Sequence, residues 1–253
     1  ILSKKLAGGA QALVLDIKTG SGAQTPDVAV AEALAARMQA VAEGSGLQLA
    51  VVLSDMGQVL GRTAGNALEV LGVLNLLTGQ PHCPRLRALV LTQAARLLCL
   101  GQLADSEADA LFRLEAALSS GAAAECFAKM VAALGGPGDV LRQQSFHLVQ
   151  APVQQPVLAV HSGYVQAIDV RALGECVVDL GGGRRIPGAA IDHAVGLAEV
   201  GGYGEWVNAG EPLAIVHARS HSDGLRAKAQ VQAAFVLGES LPPPVAAWRW
   251  LEG

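Results

Sequence analysis

The chain has 253 residues, is 51% hydrophobic with only 4% aromatics, and carries a formal net charge of −4 without a long run of either sign. That length buries a substantial core, and the charge balance argues against a nucleic-acid footprint or an anionic-membrane binder. Cys83, Cys99, Cys126 and Cys176 are widely spaced and the six histidines supply no close ligand pair, so no disulfide framework or zinc site is expected and the thiols read as reduced and partly buried.

Taken in order, "ILSKKLAGG" (1–9) reads as the end of a helix, closed by glycines suited to a left-handed cap. "ALVLDI" (12–17) reads as a strand covered on both faces. After the turn "TGSGAQTPD", Thr25 is the expected N-cap with Pro26 at the first helical position. Ala31, Leu34, Ala35, Met38 and Val41 then recur at helical spacing as far as Gly44 and Gly46. "LQLAVVLS" (47–54) is a second buried strand, and strand, helix, strand in this order implies a right-handed parallel crossover.

A helix is expected from about Asn66 to Leu77, and others near 85–101, 106–119 and 122–134. Residues 137–157 lose periodicity and gain Pro and Gln, as a connection between domains would. Short β segments follow in "VLAVHSGYVQAIDV", "GECVVDLGGGRR" and "GEWVNAGEPLAIVHA", then a helix near 222–236 and a Pro-rich tail, "LPPPVAAWRW". The expected fold class is α/β: the end of a small helical domain (1–8), an α/β body with parallel strands and flanking helices (9–150), and a β-rich, hammerhead-like C-terminal subdomain (151–253). No targeting segment or bilayer-length apolar stretch is visible, which gives the expectation of a soluble cytoplasmic protein.

Several stretches could carry chemistry. Lys4 and Lys5 point about 100° apart on a helix, so one of them can face a given ligand oxygen, or both can complement the helix dipole. Gly20 and Gly22 fall between strand and helix, but Thr25 stands where a dinucleotide fingerprint needs a third glycine, which favours a tight turn or close backbone packing. Asp55, Arg62 and Glu69 form either a catalytic cluster or, as the pattern favours, a loop anchor at Asp55 and a helix start capped by Asn66 with Glu69 on its first turns. "LGGGRR" (180–185) lacks the Walker spacing and reads as a corner with solvated arginines. "SGYVQAIDV" and "GEWVNAGEPLAIVHA" resemble the halves of a biotinyl/lipoyl hammerhead, yet "IVHARSH" has no lysine where a carrier needs one, and Lys228 lies in the last helix.

Together "ILSKKLAGGAQALVLDIKTGSGA", "LSDMGQVLGRTAGNALEV", "GECVVDLGGGRR" with "AIDHAVGL", and "GEPLAIVHA" resemble the thymidine and pyrimidine-nucleoside phosphorylase family, in the family's order. The resemblance implies pentosyl transfer in pyrimidine salvage: phosphate attacks C1′ of a pyrimidine deoxynucleoside and the base departs, giving 2-deoxyribose 1-phosphate. It carries base binding onto Lys4 and an apolar wall beside the base onto Ile1. It implies thymidine or thymine and phosphate as ligands, phosphate being a co-substrate, with no cofactor, no nucleic acid and no membrane. It places the base-contacting serine, an arginine, a histidine and the phosphate-binding cluster upstream of Ile1, so the chain is expected to be the C-terminal part of a longer, homodimeric enzyme and inactive alone. Gln24 replaces the family's usual aromatic, and Gly72 falls where some members place a glutamate beside an alkali cation held by carbonyls near Leu60 and Thr63, so no metal residue is assigned. The rival expectation is a non-catalytic remnant or interaction module that keeps the fold.

Overall fold

The computed structural model describes residues 2–142 and 148–251, and shows a mixed α/β fold with eight helices and nine strands among them. Helix α1 (Leu2–Ala7) ends at Gly9, whose φ of +76° supplies the expected left-handed turn. Strands β1 (Ala12–Thr19) and β2 (Gln48–Asp55) pair in parallel through the crossover helix α2 (Val28–Gly44). Period-two alternation gives this sheet two unlike faces. Ile17, Val51 and Leu53 pack on Ala31 and Ala35 of α2, whereas Asp16, Lys18 and Ser54 lie on the other face. Helices α3 (Asn66–Leu77), α4 (Pro84–Leu100), α5 (Glu107–Ser119) and α6 (Ala122–Ala133) follow, with α4 on the polar face, where Gln93 Nε2 donates to Asp16 at 2.7 Å.

The C-terminal unit contains β3 (Val153–Leu158), β4 (Gly163–Ile168), α7 (Val170–Asp179), β5 (Gly196–Ala198), β6 (Trp206–Val207), β7 (Pro212–Ala218), α8 (His221–Ala233) and β8 (Phe235–Gly238). Two three-stranded sheets, ordered β3-β7-β5 and β6-β4-β8, enclose the largest core, built around Val157, Val165, Leu173, Leu197, Val216 and Val231. Finally β9 (Trp248–Leu251) returns to pair antiparallel with β2, giving the first sheet the order β1-β2-β9.

Local expectations change at several points. Asp27, not Thr25, caps α2, because its extended backbone lets Oδ1 accept from Val30 N at 3.0 Å. Gly65 occupies the cap position of α3; Asn66 is the first helical residue, and Glu69 Oε1 reaches back to Gly65 N at 3.0 Å. "GECVVD" is helical, not β: Asp169 caps α7, and Val170, Leu173, Cys176 and Val177 form one buried stripe. The connection foreseen over 137–157 gives way to strand at Val153, and the end of the "Pro-rich tail" is β9. Most of β1 is half-buried rather than covered, because it is an edge strand. Cys126 is exposed, while burial pushes the Cys176 thiol up to about 11. No helix among the described residues is long and apolar enough to cross a membrane.

Candidate functional site

Helix α1 is short and is held by its apolar side. Leu2 and Leu6, one turn apart, pack with Met38 and Ala42 of α2 and with Leu13, Leu47 and Leu49 at the starts of β1 and β2. At 100° per residue, Lys4 stands opposite the Leu2–Leu6 face and Lys5 on its flank. Both are exposed, and neither ammonium has an ion-pair partner among the described residues. The end of α1 is closed by main chain: Gly8 N donates to Lys4 O at 3.2 Å and Ala10 N to Lys5 O at 3.1 Å. Lys4 thus stands on the exposed side of a packed helix, where its ammonium suits an anionic or carbonyl oxygen. Ile1, expected beside it, lies outside the described residues. Gln24 is exposed on the loop before α2.

The glycine stretches serve packing. A Cβ on Gly20, where φ is +94°, would stand 2.6 Å from Gly57 N, and one on Gly22 would stand 2.6 Å from Val170 Cγ1. Ser21 Oγ donates to Ile168 O at 2.7 Å and accepts from Val170 N at 3.2 Å, while Arg171 donates to Ala23 O at 2.9 Å. The turn after β1 is therefore a seam against α7. A second seam joins 62–67 to 193–200: Ala64 and Leu197 exchange main-chain hydrogen bonds of 2.9 and 2.7 Å, and Val200 N donates to Arg62 O at 3.0 Å. The "GGGRR" stretch is a corner after α7, with Gly182 O accepting from Asn66 Nδ2 at 3.1 Å and exposed Arg185 paired with Asp179.

Asp55, Arg62 and Glu69 do not converge. Asp55 binds Arg85 and accepts from Gly57 N, Arg62 pairs with Glu205, and Glu69 closes the start of α3. Thr63 and Gly72 line a cavity of about 630 Å³ together with Cys83, Glu199 and Glu205. The Leu60 carbonyl faces Cys83 Sγ at 3.4 Å.

One cluster escaped the sequence reading. Lys18 Nζ lies 2.6 Å from Asp16 Oδ2 and 2.8 Å from Ser54 Oγ, which in turn donates to Asp16 Oδ1 at 2.5 Å. The signal was present in "DIK": alternation puts both charges on one face of an otherwise apolar strand. Ser54 is only 1% exposed, so its hydroxyl has no open approach and the network serves to tie β1, β2 and α4 together.

With this geometry in view, residues 1–124 match the family model described as glycosyl transferase family, a/b domain, and residues 164–238 match the pyrimidine nucleoside phosphorylase C-terminal domain. These matches support the phosphorylase family. They indicate a transferase of pyrimidine nucleoside phosphorylase type. Both seams run between the two matched segments, Ser21 to Ile168 and Ala64 to Leu197. Among the residues singled out from sequence, Lys4 and Lys5 are exposed, and neither has an ion-pair partner among the described residues.

Proposed function

We propose that this chain contributes the base-binding lysine to phosphorolysis of thymidine, as part of a complete enzyme of pyrimidine salvage. The observation that carries the proposal is Lys4: an exposed ammonium with no ion-pair partner among the described residues, on a helix whose other face is packed. As the glycosidic bond breaks, negative charge spreads over the carbonyl oxygens of the departing pyrimidine. A pre-positioned ammonium interacts more strongly with that charge than with the neutral base, and so lowers the barrier. Phosphate supplies the nucleophile as co-substrate, and no residue of this chain is assigned to hold it. The same reading assigns residues 1–8 to the end of a helical domain, 9–150 to the α/β domain and 151–253 to the C-terminal subdomain, in a cytoplasmic enzyme that is a homodimer when complete.

The test is phosphate-dependent release of base from thymidine and from uridine, by this chain and by the same chain joined to a family-type N-terminal region. The expected result is no turnover by the chain alone and turnover of thymidine in preference to uridine by the joined polypeptide. A joined polypeptide that folds and binds phosphate yet releases no base from either nucleoside would support the non-catalytic remnant instead.

A further inference from the structure

We propose that the cavity between α3 and the outer face of the sheet β3-β7-β5 binds a small, uncharged planar heterocycle whose edge carries both N–H and C=O groups. The proposal does not depend on the nucleoside reading, because no described residue of α1 borders this cavity.

The cavity holds about 610 Å³, a size that suits a small molecule. Strand register places its first wall. Gln154 on β3 and Gly196 on β5 both stand opposite His217 on β7, so the three form one row across the sheet. Alternation sends their neighbours Val153, Val216 and Ala218 into the core and turns Gln154 and His217 outward. Helix α3 supplies the second wall. It is held beside the sheet by the Ala64–Leu197 bridge and by Ala67 N, which donates to His193 O at 3.0 Å. Leu68, Leu71 and Asn75 recur at spacings of three and four, so they share one face of α3 and meet the same space. Leu148, Val149 and Gln150, just before β3, close a further side. This cavity adjoins the one beside Thr63 and Gly72 along α3, but Gln154 and His217 line this one and not the other.

The chemistry of the lining selects the ligand. Leu68, Leu71 and Val149 offer apolar surface to the faces of a ring. Asn75 and His217 are half-buried, while Gln150 and Gln154 are exposed at the rim. Among the described residues, none of these four side chains has a hydrogen-bond or ion-pair partner. Each carboxamide presents a donor and an acceptor, and so does the imidazole, which burial keeps in its neutral form at neutral pH. Arg142 is the one formal charge among the described lining residues. An anionic ligand would meet that single cation and leave the acceptors of three carboxamides facing a ligand with little to donate. A neutral ring with N–H and C=O groups at its edge answers donors and acceptors alike, and loses no ionic hydration on entry.

The experiment is a residue-resolved NMR titration of this chain with hypoxanthine, a neutral bicyclic lactam, and with 2-naphthoate, an anion of similar size without an N–H. Hypoxanthine should give saturable shifts in the side-chain amides of Asn75 and Gln154 and in the His217 ring, with a Kd of about 1 mM or below. Binding of 2-naphthoate should be about tenfold weaker or absent. Asn75→Ala and Gln154→Ala should each weaken hypoxanthine binding about three- to tenfold. Unchanged thermal midpoints in these variants show that the fold persists. Lys4→Ala should leave the affinity as it is, so this site and the base-binding role of Lys4 can fail separately. No saturable shift at these residues, tighter binding of 2-naphthoate (an anion site at Arg142), an affinity unchanged in both folded variants, or loss of binding in Lys4→Ala would each overturn the proposal.

Discussion

At the scale of single residues, the glycines flanking β1 show how a motif that looks like ligand chemistry can be backbone geometry. Gly20 sits at φ +94° with Gly57 N where its Cβ would be, so an alanine there meets both an unfavourable backbone and a main-chain clash. Gly20→Ala should lower stability by about 2–4 kcal/mol, since the turn after β1 has to move away from the Met56–Gly57 turn. Gly44→Ala provides the contrast: nothing lies within 4 Å of its added Cβ, and it closes a helix. That substitution should be neutral or stabilising by up to about 1 kcal/mol. Denaturant midpoints of the two variants, read against the unchanged chain, check both values.

At the scale of elements, much of the fold was legible before any coordinates. Helical spacing placed α2 to α6 within about two residues, because their apolar positions repeat over three turns or more. The parallel pairing of β1 and β2 followed from strand, helix, strand order. What misled was local. Two valines and glycines near "GECVVD" imitate a strand, and only the buried stripe of α7 against the C-terminal core reveals the helix. Pairing of β9 with β2 joins residues nearly 200 positions apart, which no local pattern encodes. Lys4 and Lys5 are legible as a candidate pair in the sequence, and the family resemblance singles out Lys4. The Leu2–Leu6 contact with α2 adds that Lys4 stands on the free side of the helix. The Asp16–Lys18–Ser54 network is only partly legible, because the sequence shows two charges on one face of β1 but not the hydroxyl that β2 brings to them.

At the scale of the whole molecule, the two matched parts are tied by seams at Ser21 and Ala64, and the residues after them return to β2 as β9, so stability should respond to titration in either part as one transition. His217 on β7 is half-buried, and desolvation lowers its pKa below the ordinary histidine value, with Glu199 opposing. A buried neutral imidazole binds fewer protons folded than unfolded. Its contribution is therefore full above the unfolded value near 6.5 and is lost as pH falls through the lower folded value. The thermal midpoint should drop as pH falls below about 6.5, and His217→Gln should flatten that slope. Asp179 and Asp192 are held low by Arg185 and Arg219, so their contributions are lost only at more acid pH and leave this window clear. An unchanged slope in His217→Gln would show that another group carries it.

The role of Lys4 is the point on which the functional account rests. The measurement that tests it most directly is kcat/KM for thymidine phosphorolysis by the polypeptide joined to a family-type N-terminal region, comparing Lys4→Ala, Lys5→Ala and the unsubstituted form. Loss of a pre-positioned charge at the departing base should lower kcat/KM by about 10²–10³-fold in Lys4→Ala. Lys5→Ala should stay close to the unsubstituted value, and thermal midpoints of both variants should be unchanged, since neither ammonium holds a packing contact. Full activity in Lys4→Ala, or an equal loss in Lys5→Ala, would contradict the account.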